Sequence, residues 1–284
     1  MANQGKGVTR RNALLGGAGF AALSSLSPMA MAATSGPVAV NFTDPVESLR
    51  AHVKMVGSLQ TQQVISFLRL NIYADSGEGN FAPLFTMNNL LIDHWEDQGN
   101  NNFQMTKYEA GYYTELDSYN PIESFVNPFT NKTHAIKNFL LGPVPRRYTP
   151  EGFYFMAYNP NPLPLEVIGD RVFLATQSIE SFQIPGEPPK TMYINSFMTF
   201  SATLADMQDS SIASAPVHTQ LHNKTAWAPW MGMEGRPGGT VARGYGTKLT
   251  GLDSLPEGVL DEYRKRTPDI LDIENWKGFK SEST

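Results

Sequence analysis

Apolar and polar residues alternate along much of the chain, which is the pattern of half-buried β-strands. The stretch VISFLRLNIYA at 64–74 is rich in β-branched and aromatic residues and ends at the turn signal DSG at 75–77. Similar segments predict about ten strands in all, and the others lie at 82–92, 102–116, 133–141, 152–158, 165–176, 178–184, 191–206, 216–227 and 240–246. The pattern therefore predicts a mainly β protein.

Helical patterns are confined to two segments near the ends of this β-rich region. The stretch TDPVE at 43–47 marks a helix start, because its aspartate can cap, its proline suits the first helical position and its glutamate can complete a capping box. Residues 256–264 predict a second, short helix. We therefore expect a single domain over residues 33–284, folded as an antiparallel β-barrel or barrel-like sandwich with an N-terminal helix and a short C-terminal helix.

The first 32 residues have the features of a twin-arginine export signal. A polar, basic start leads into Arg10 and Arg11, a weakly apolar stretch rich in glycine and alanine follows, and residues 30–32 form an Ala-x-Ala cleavage site. The apolar part is too short and too rich in glycine to span about 30 Å of hydrocarbon. We therefore expect export by the twin-arginine translocase, a periplasmic or secreted mature protein, and no membrane association after cleavage.

Charge and composition exclude several classes of partner and chemistry. Without residues 1–32 the formal net charge falls from −5 to −8 and no basic run remains, so nucleic acid is not an expected partner. The chain has no cysteine, which excludes thiolate catalysis, cysteine-ligated iron–sulfur clusters and thiolate zinc sites. The P-loop, G-x-S-x-G and H-E-x-x-H motifs are also missing. The identity of any cofactor stays unknown.

Six short motifs follow one another between residues 43 and 256: TDPVESLRAHVKMVGSL, EAGYY, NPFTNK, LLGPV, WAPWMGMEGRPGG and GYGTKLTGLDSLP. In this order they resemble the domain-of-unknown-function family 1838, whose members are exported bacterial proteins and fungal relatives. The family has no established activity, so the resemblance implies no residue role. The family turn usually reads N-P-x-T-G, and here Asn131 takes the glycine position. Asparagine tolerates the left-handed conformation, so we expect the turn to be preserved.

Glu109 is the first candidate for a catalytic group. It lies inside the aromatic segment TKYEAGYYTEL, and Tyr113 shares its face of the predicted strand. A carboxylate turned toward an apolar interior would have a raised pKa and could act as an acid or a base. Arg69, the lone cation of 64–74, could pair with Glu109 or hold an anionic part of a ligand. Alternatively, Glu109 faces solvent or forms a purely structural pair with Arg69.

The histidines give weaker indications of a site. His218 and His222 lie on one face of a predicted strand, about 13 Å apart, which is too far to share one metal ion. Each could still bind a metal ion alone, with partners from other strands, and we name no metal ligand. His222 and His134, on two different predicted strands, could each add an acid or a base beside Glu109 if their side chains point inward.

Two further groups have a structural interpretation that we favour over a functional one. The segment IDHWED at 92–97 could supply a general base or a set of ligands, but a polar strand end running into a turn also accounts for it. His52, in the first predicted helix, is expected at the surface or at an edge of the packing.

The segment WAPWMGM at 227–233 concentrates large apolar side chains. Trp227 and Trp230, together with Met231 and Met233, could form a stacking wall for a flat apolar ligand. The alternative, which we favour, is plain core, because large aromatic residues are mostly buried.

These residues lead to three hypotheses. The first is an exported small-molecule-binding β-barrel protein that acts as a cofactor-free acid–base enzyme, of isomerase, lyase or hydrolase type, on an apolar or aromatic metabolite. Its catalytic set would be Glu109, Tyr113, His134 and His222, and its ligand-binding set Arg69, Trp227, Trp230 and Met233. The second is a non-catalytic periplasmic carrier or binding protein with the same cavity. The third is a structural envelope protein that has no cavity large enough for a ligand.

Overall fold

The computed structural model describes residues 42–155, 157–160, 165–184 and 190–275, so the predicted export signal lies outside the described residues. The helices are α1 (Pro45–Val56), α2 (Leu204–Gln208) and α3 (Val259–Arg266). The strands are β1 (Gln62–Asp75), β2 (Phe81–Asp97), β3 (Phe103–Thr114), β4 (Ser124–Val126), β5 (Thr133–Ala135), β6 (Phe139–Thr149), β7 (Gly152–Phe155), β8 (Ala157–Pro160), β9 (Leu165–Ile168), β10 (Arg171–Ile184), β11 (Lys190–Thr203), β12 (His218–Thr225) and β13 (Gly239–Leu249).

Eleven of these strands form one antiparallel sheet in the order β8-β7-β6-β3-β2-β1-β13-β12-β11-β10-β9, and β4 and β5 form a separate hairpin. Strand β1 lies at the centre and pairs with both β2 and β13. The edge strands β8 and β9 are joined by only four residues, so their connected ends lie within about 18 Å of each other. The sheet is curled into a half-barrel, which confirms the predicted mainly β, barrel-like fold.

Helix α1 lies across one end of the curled sheet. Asp44 caps it as predicted, because its Oδ1 accepts hydrogen bonds of 3.0 Å from the backbone N–H groups of Val46 and Glu47. Its buried face packs on both halves of the sheet: Val53 contacts the cluster around Trp95, and Met55 contacts the cluster of β10 and β11. The helix thus covers this end of the curled sheet.

The outer face of β1 to β3 is covered by the C-terminal segment. Residues of α3 and the following turn pack on outward side chains of the three strands, and the fully buried members include Leu90, Tyr112, Val259, Tyr263 and Ile270. The rings of Tyr112 and Tyr263 meet edge to face at 5.1 Å. Both faces of the central strands are therefore buried.

The other end of the barrel is covered by the β4–β5 hairpin and the 3-10 turn Pro229–Met231. The Nδ2 of Asn127 donates a 2.9 Å hydrogen bond to the carbonyl of Met231, which ties the two segments together. Phe125 of the hairpin packs edge to face on Trp230 at 5.7 Å. Asn131 has a φ of +54°, so the asparagine takes the left-handed position as expected.

Three predicted boundaries are wrong. The segment 133–141 is not one strand, because it contains β5 and only the start of β6. Strand β6 continues to Thr149, although Gly142, Pro143 and Pro145 are typical strand breakers; a bulge in its pairing with β3 accommodates them. The break expected at residue 177 lies instead at Gly169, where a tight turn joins β9 to β10.

Replacing Leu90 by alanine tests the packing of the C-terminal segment on the sheet. Leu90 is fully buried in that cluster, so Leu90→Ala should lower the free energy of unfolding by about 2–5 kcal/mol. Urea denaturation measures this change. The matched control is Ile168→Ala on the edge strand β9, where the side chain is 58% exposed and the loss should stay under about 1 kcal/mol. Equal losses in the two variants would contradict the assignment of this core.

Candidate functional site

The inner face of the curled sheet encloses a cavity of about 680 Å³, within the range of small-molecule sites. Two zones of its lining differ in polarity. The apolar zone lies toward the hairpin end and contains Leu70, Ile72, Phe85, Met87, Tyr113, Leu221, Trp230 and Met231. The polar zone lies toward α1 and contains His52, Asn89, Asp93, Lys107, Glu109, Arg146 and Tyr148.

The polar zone is built by the period-two alternation of β2 and β3. Odd-numbered residues of both strands point into the cavity. The register places Lys107 directly opposite Asp93, and Glu109 opposite Leu91, two pairs further along the ladder and on the same face. Because opposed residues share a face of the sheet, two carboxylates and an ammonium gather in one patch.

Glu109 lies in the cavity, as the first hypothesis requires, but its environment differs from the one expected. Its Oε2 lies 2.7 Å from the ammonium of Lys107, and its Oε1 accepts a 2.5 Å hydrogen bond from Asn89. Burial alone would raise the pKa of Glu109, but the charge and hydrogen bonds of Lys107, together with Asn89, outweigh burial and lower it. The expected rise of its pKa is therefore wrong, and Glu109 is an ionised partner of Lys107.

Asp93 has the perturbed carboxyl group of this site. It is 8% exposed, and its Oδ1 is buried without a hydrogen-bond partner among the described residues. Burial raises the pKa of Asp93 to about 6, although the nearby charges of Lys107 and Arg146 oppose the rise. A carboxyl group in this state can exchange a proton close to neutral pH.

His52 reaches the cavity from α1 and is buried, so the expected surface position is wrong. Its imidazole packs with the rings of Phe153 and Tyr148, whose centroids lie 5.5 and 5.4 Å from it and 5.7 Å from each other. Burial, helped by the charge of Arg146, lowers the pKa of His52 to about 3. The imidazole is therefore neutral at physiological pH and can both donate and accept a hydrogen bond.

Tyr113 and Trp230 line the apolar zone, as both ligand hypotheses require. They form one aromatic group with Phe85: the Phe85 and Tyr113 centroids are 4.8 Å apart, and those of Tyr113 and Trp230 are 5.8 Å apart. Burial raises the pKa of Tyr113. Its phenol is therefore neutral, and its contribution to the site is an apolar ring with a hydroxyl.

Arg69 does not enter the cavity, so its expected contact with Glu109 or with an enclosed anion is wrong. Even-numbered residues of β1 face inward, which turns Arg69 to the outer face. There its Nη2 donates a 2.5 Å hydrogen bond to the carbonyl of Ser118. Its guanidinium lies 3.9 Å from the ring centroid of Tyr119, a cation–π geometry.

The two histidines proposed beside Glu109 are also outside the cavity lining. His222 lies on the exposed outer face of β12, because Leu221 and Asn223 take the inward positions. His134 belongs to the β4–β5 hairpin, where its ring packs over Gly232 and lies 5.9 Å from the ring of Phe125. The structure thus brings neither imidazole to the carboxylates.

The other two residues proposed to bind a ligand, Trp227 and Met233, do not line the cavity. Trp227 packs edge to face on Phe129 at 6.0 Å, and its indole N–H donates to the carbonyl of Pro237. Met233 is buried in the core cluster next to the cavity. Of the proposed stacking wall, only Trp230 and Met231 reach the lining.

Sequence reasoning missed most of the polar zone. In IDHWED the alternation separates the charged residues: Asp93 points inward, while His94 and Glu96 face outward and lie 3.5 Å apart. Arg146 was missed because 142–149 was not predicted to be a strand. Lys107 was available as a signal, since it lies two residues before Glu109 on the same face of a predicted strand.

Two kinds of feature are missing from the described residues. No group of three or more histidine, aspartate and glutamate side chains there is arranged to hold a metal ion. No helix among the described elements has the length and apolar character needed to cross a bilayer.

The comparison with protein families decides the relationship of the chain. The model of a family described as a protein of unknown function (DUF1838) matches residues 61–275. The chain belongs to this family. The matched range includes every strand of the curled sheet and the C-terminal segment that covers it. No curated protein and no solved structure matches the chain significantly.

Replacing Lys107 by methionine should lower the free energy of unfolding, because the buried carboxylate of Glu109 loses its cationic partner. An uncompensated buried carboxylate costs about 3–5 kcal/mol, whereas Lys107→Met combined with Glu109→Gln should recover much of that loss. Urea denaturation of both single variants and the double variant measures the coupling. Arg264→Met breaks an exposed ion pair with Asp261 and serves as the control, with a loss under about 1 kcal/mol. Additive losses at Lys107 and Glu109 would contradict the pairing.

The raised pKa of Asp93 predicts a specific pH dependence of stability. Because the folded state favours the protonated form, the stabilising contribution is complete below pH 3.8 and is lost as the pH rises through about 6. Asp93→Asn removes this titration, so its stability relative to the unmodified protein should rise between pH 4 and pH 7, by up to about 3 kcal/mol. Urea denaturation at several pH values measures the difference. A difference that is constant with pH would contradict the shift.

Proposed function

We propose that the chain is an exported protein that binds an apolar or aromatic small molecule inside its curled sheet and acts on it by acid–base chemistry, with Asp93 as the base. The observation that carries the proposal is Asp93 itself: a buried carboxyl group that lines a 680 Å³ cavity, with an oxygen left without a partner among the described residues and a pKa of about 6. Perturbed carboxyl groups in enclosed cavities are typical of functional sites.

The environment of Asp93 suits proton transfer. At neutral pH it is mostly ionised, and it is a stronger base than an ordinary carboxylate because burial destabilises its charge. Lys107 and Arg146 line the same zone and could stabilise negative charge that develops on a substrate as the proton leaves. Isomerisation, elimination and hydrolysis all use such a step.

The apolar zone would hold the body of the substrate. Phe85, Tyr113 and Trp230 meet at angles between 30° and 72°, so their faces and edges present a rigid aromatic surface. Flat apolar molecules pack on such surfaces with little loss of side-chain entropy. In this proposal Glu109 holds Lys107 in position and does not itself take the proton.

The cellular location belongs to the same proposal. The paired Arg10 and Arg11, the weakly apolar stretch and the Ala-x-Ala sequence favour export by the twin-arginine translocase, and thus a periplasmic or secreted protein. An exported catalyst of this kind would meet its small-molecule partner outside the cytoplasm.

A carrier without catalysis is the second candidate. The observation that favours it is the position of His134 and His222 outside the cavity lining. Of the two carboxylates in the lining, Asp93 has a raised pKa and Glu109 a lowered one, so Asp93 is left to transfer protons without either of these histidines beside it. A carrier would keep the cavity and its aromatic wall, and replacing Asp93 would change affinity only.

A generic base-sensitive reaction tests the proposal without knowledge of the natural substrate. The ring opening of 5-nitrobenzisoxazole is an elimination that begins with removal of one proton from carbon. We expect the protein to accelerate it above acetate at equal concentration, with a rate that rises through about pH 6 and is lost in Asp93→Asn. Absorbance of the phenolate product measures the rate.

Two neighbouring substitutions locate the reaction. Ala242→Trp fills the cavity from β13, and Arg243→Trp adds the same side chain to the outer face. The first should abolish the rate and the second should leave it unchanged. A rate that survives in Asp93→Asn would rule out Asp93 as the base, and a bound but unreacted compound would favour the carrier.

A further inference from the structure

The charged side chains that line the polar zone balance one another, and this restricts the charge that a ligand can bring. Lys107 and Arg146 supply two positive charges, and Asp93 and Glu109 supply two carboxylates. Lys107 is engaged by Glu109 at 2.7 Å, and Lys107 and Arg146 both act on Asp93. Lys248 also acts on Asp93 but lies outside the lining, where its ammonium donates to the carbonyls of Lys54 and Gly57. A charged head group would add an uncompensated charge in a region shielded from water, which is costly. The balance therefore favours a neutral ligand.

Two oxygen atoms that lack partners in this zone indicate one hydrogen bond that the ligand must donate. The Oδ1 atoms of Asn89 and Asp93 are both buried and receive no hydrogen bond from the described part of the chain. Both side chains line the cavity and are more than nine-tenths buried. Amide and carboxylate oxygens are acceptors. A group that completes these two oxygens must therefore donate. The Nδ1 of His52 and the Nε1 of Trp95 also belong to the lining and are buried without a partner among the described residues, so a ligand group that can both donate and accept, such as a hydroxyl, fits the site.

Asn89 is held in one orientation, which makes its oxygen a selective feature. Its Nδ2 donates to Glu109 at 2.5 Å, so the amide cannot rotate to offer an N–H to a ligand without losing this bond. The ion pair of Glu109 with Lys107 fixes the carboxylate in turn. The residue pair therefore favours ligand donors over ligand acceptors.

We infer that the ligand is a neutral, flat apolar or aromatic molecule that carries a hydroxyl group, an alcohol or a phenol, and that this hydroxyl donates its hydrogen bond to Asp93 or Asn89. The inference rests on the proposed function, since it takes the cavity as the binding site. It adds the charge and the hydrogen-bonding sense of the ligand, and it assigns Asn89 as a specificity-determining residue.

Four compounds with one skeleton separate the possible head groups: 2-naphthol, 2-methylnaphthalene, 2-naphthoate and 2-naphthylmethylammonium. Isothermal titration calorimetry at pH 7 measures their dissociation constants. We expect 2-naphthol to bind roughly tenfold more tightly than 2-methylnaphthalene, as one or two net hydrogen bonds provide, and both ions to bind more weakly than either. Tightest binding of the naphthoate or of the ammonium compound would overturn the inference while leaving the cavity as a binding site. Failure of all four to bind would overturn the proposed function and the inference together.

Variants of the two acceptors test the assignment of the residues. Asp93→Leu should abolish the preference for 2-naphthol over 2-methylnaphthalene, whereas Asp93→Asn, which keeps an acceptor oxygen, should retain it. Both remove a negative charge, so both should bind 2-naphthoate more tightly than the unmodified protein does. Asn89→Leu should reduce the preference for 2-naphthol without this gain.

Met87→Leu, in the apolar zone, is the matched control and should change the affinity for 2-naphthol and 2-methylnaphthalene by the same factor. Circular dichroism checks that each variant is folded, and if Asp93→Leu is not, Asn89→Leu carries the comparison. An unchanged preference for 2-naphthol in Asn89→Leu would remove Asn89 from the assignment.

Discussion

The pairing of β1 with β13 is the interaction on which the rest of the structure depends. Eleven consecutive residue pairs, from Ile65 with Leu249 to Asp75 with Gly239, join the first strand to the last. The approach is close: a Cβ at Gly244 would lie 1.9 Å from the carbonyl oxygen of Arg69, so only glycine fits there. This pairing merges two up-and-down segments into a single curled sheet, and the cavity exists only because both segments contribute to its inner face.

The alternation of residues was sufficient to predict the β architecture, the start of α1 and the short C-terminal helix, but not the direction of the side chains. When one face of a strand is exposed to solvent, the alternation of polar and apolar residues shows which side chains point into the protein. Here the C-terminal segment buries the outer face of β1 to β3, so apolar residues occupy both faces. Arg69 and Leu70 could therefore exchange roles in any sequence-based interpretation, because a shift of one residue reverses every side chain.

The candidate site was predicted only in part. Side-chain direction was not evident from the sequence, and neither was the register between strands. Glu109 and Tyr113 were correctly placed on one face because they lie on the same strand, although they belong to different zones of the cavity. Asp93 and Arg146 come from other strands, and their meeting depends on the register of β2, β3 and β6. Register is a long-range property that one sequence does not display. The apolar zone was easier to predict, because its residues had only to be buried. Large apolar side chains such as Trp230 and Met231 are usually buried.

The open edges at β8 and β9 affect the width of the cavity. In a fully closed barrel, strand number and stagger fix the diameter, so the interior has one width. In the part of the chain that the structure describes, the sheet ends at β8 on one side and at β9 on the other. Its curvature, rather than a closed ring of hydrogen bonds, sets the distance between the walls. The width of the cavity can therefore change with this curvature, without the loss of any strand pair.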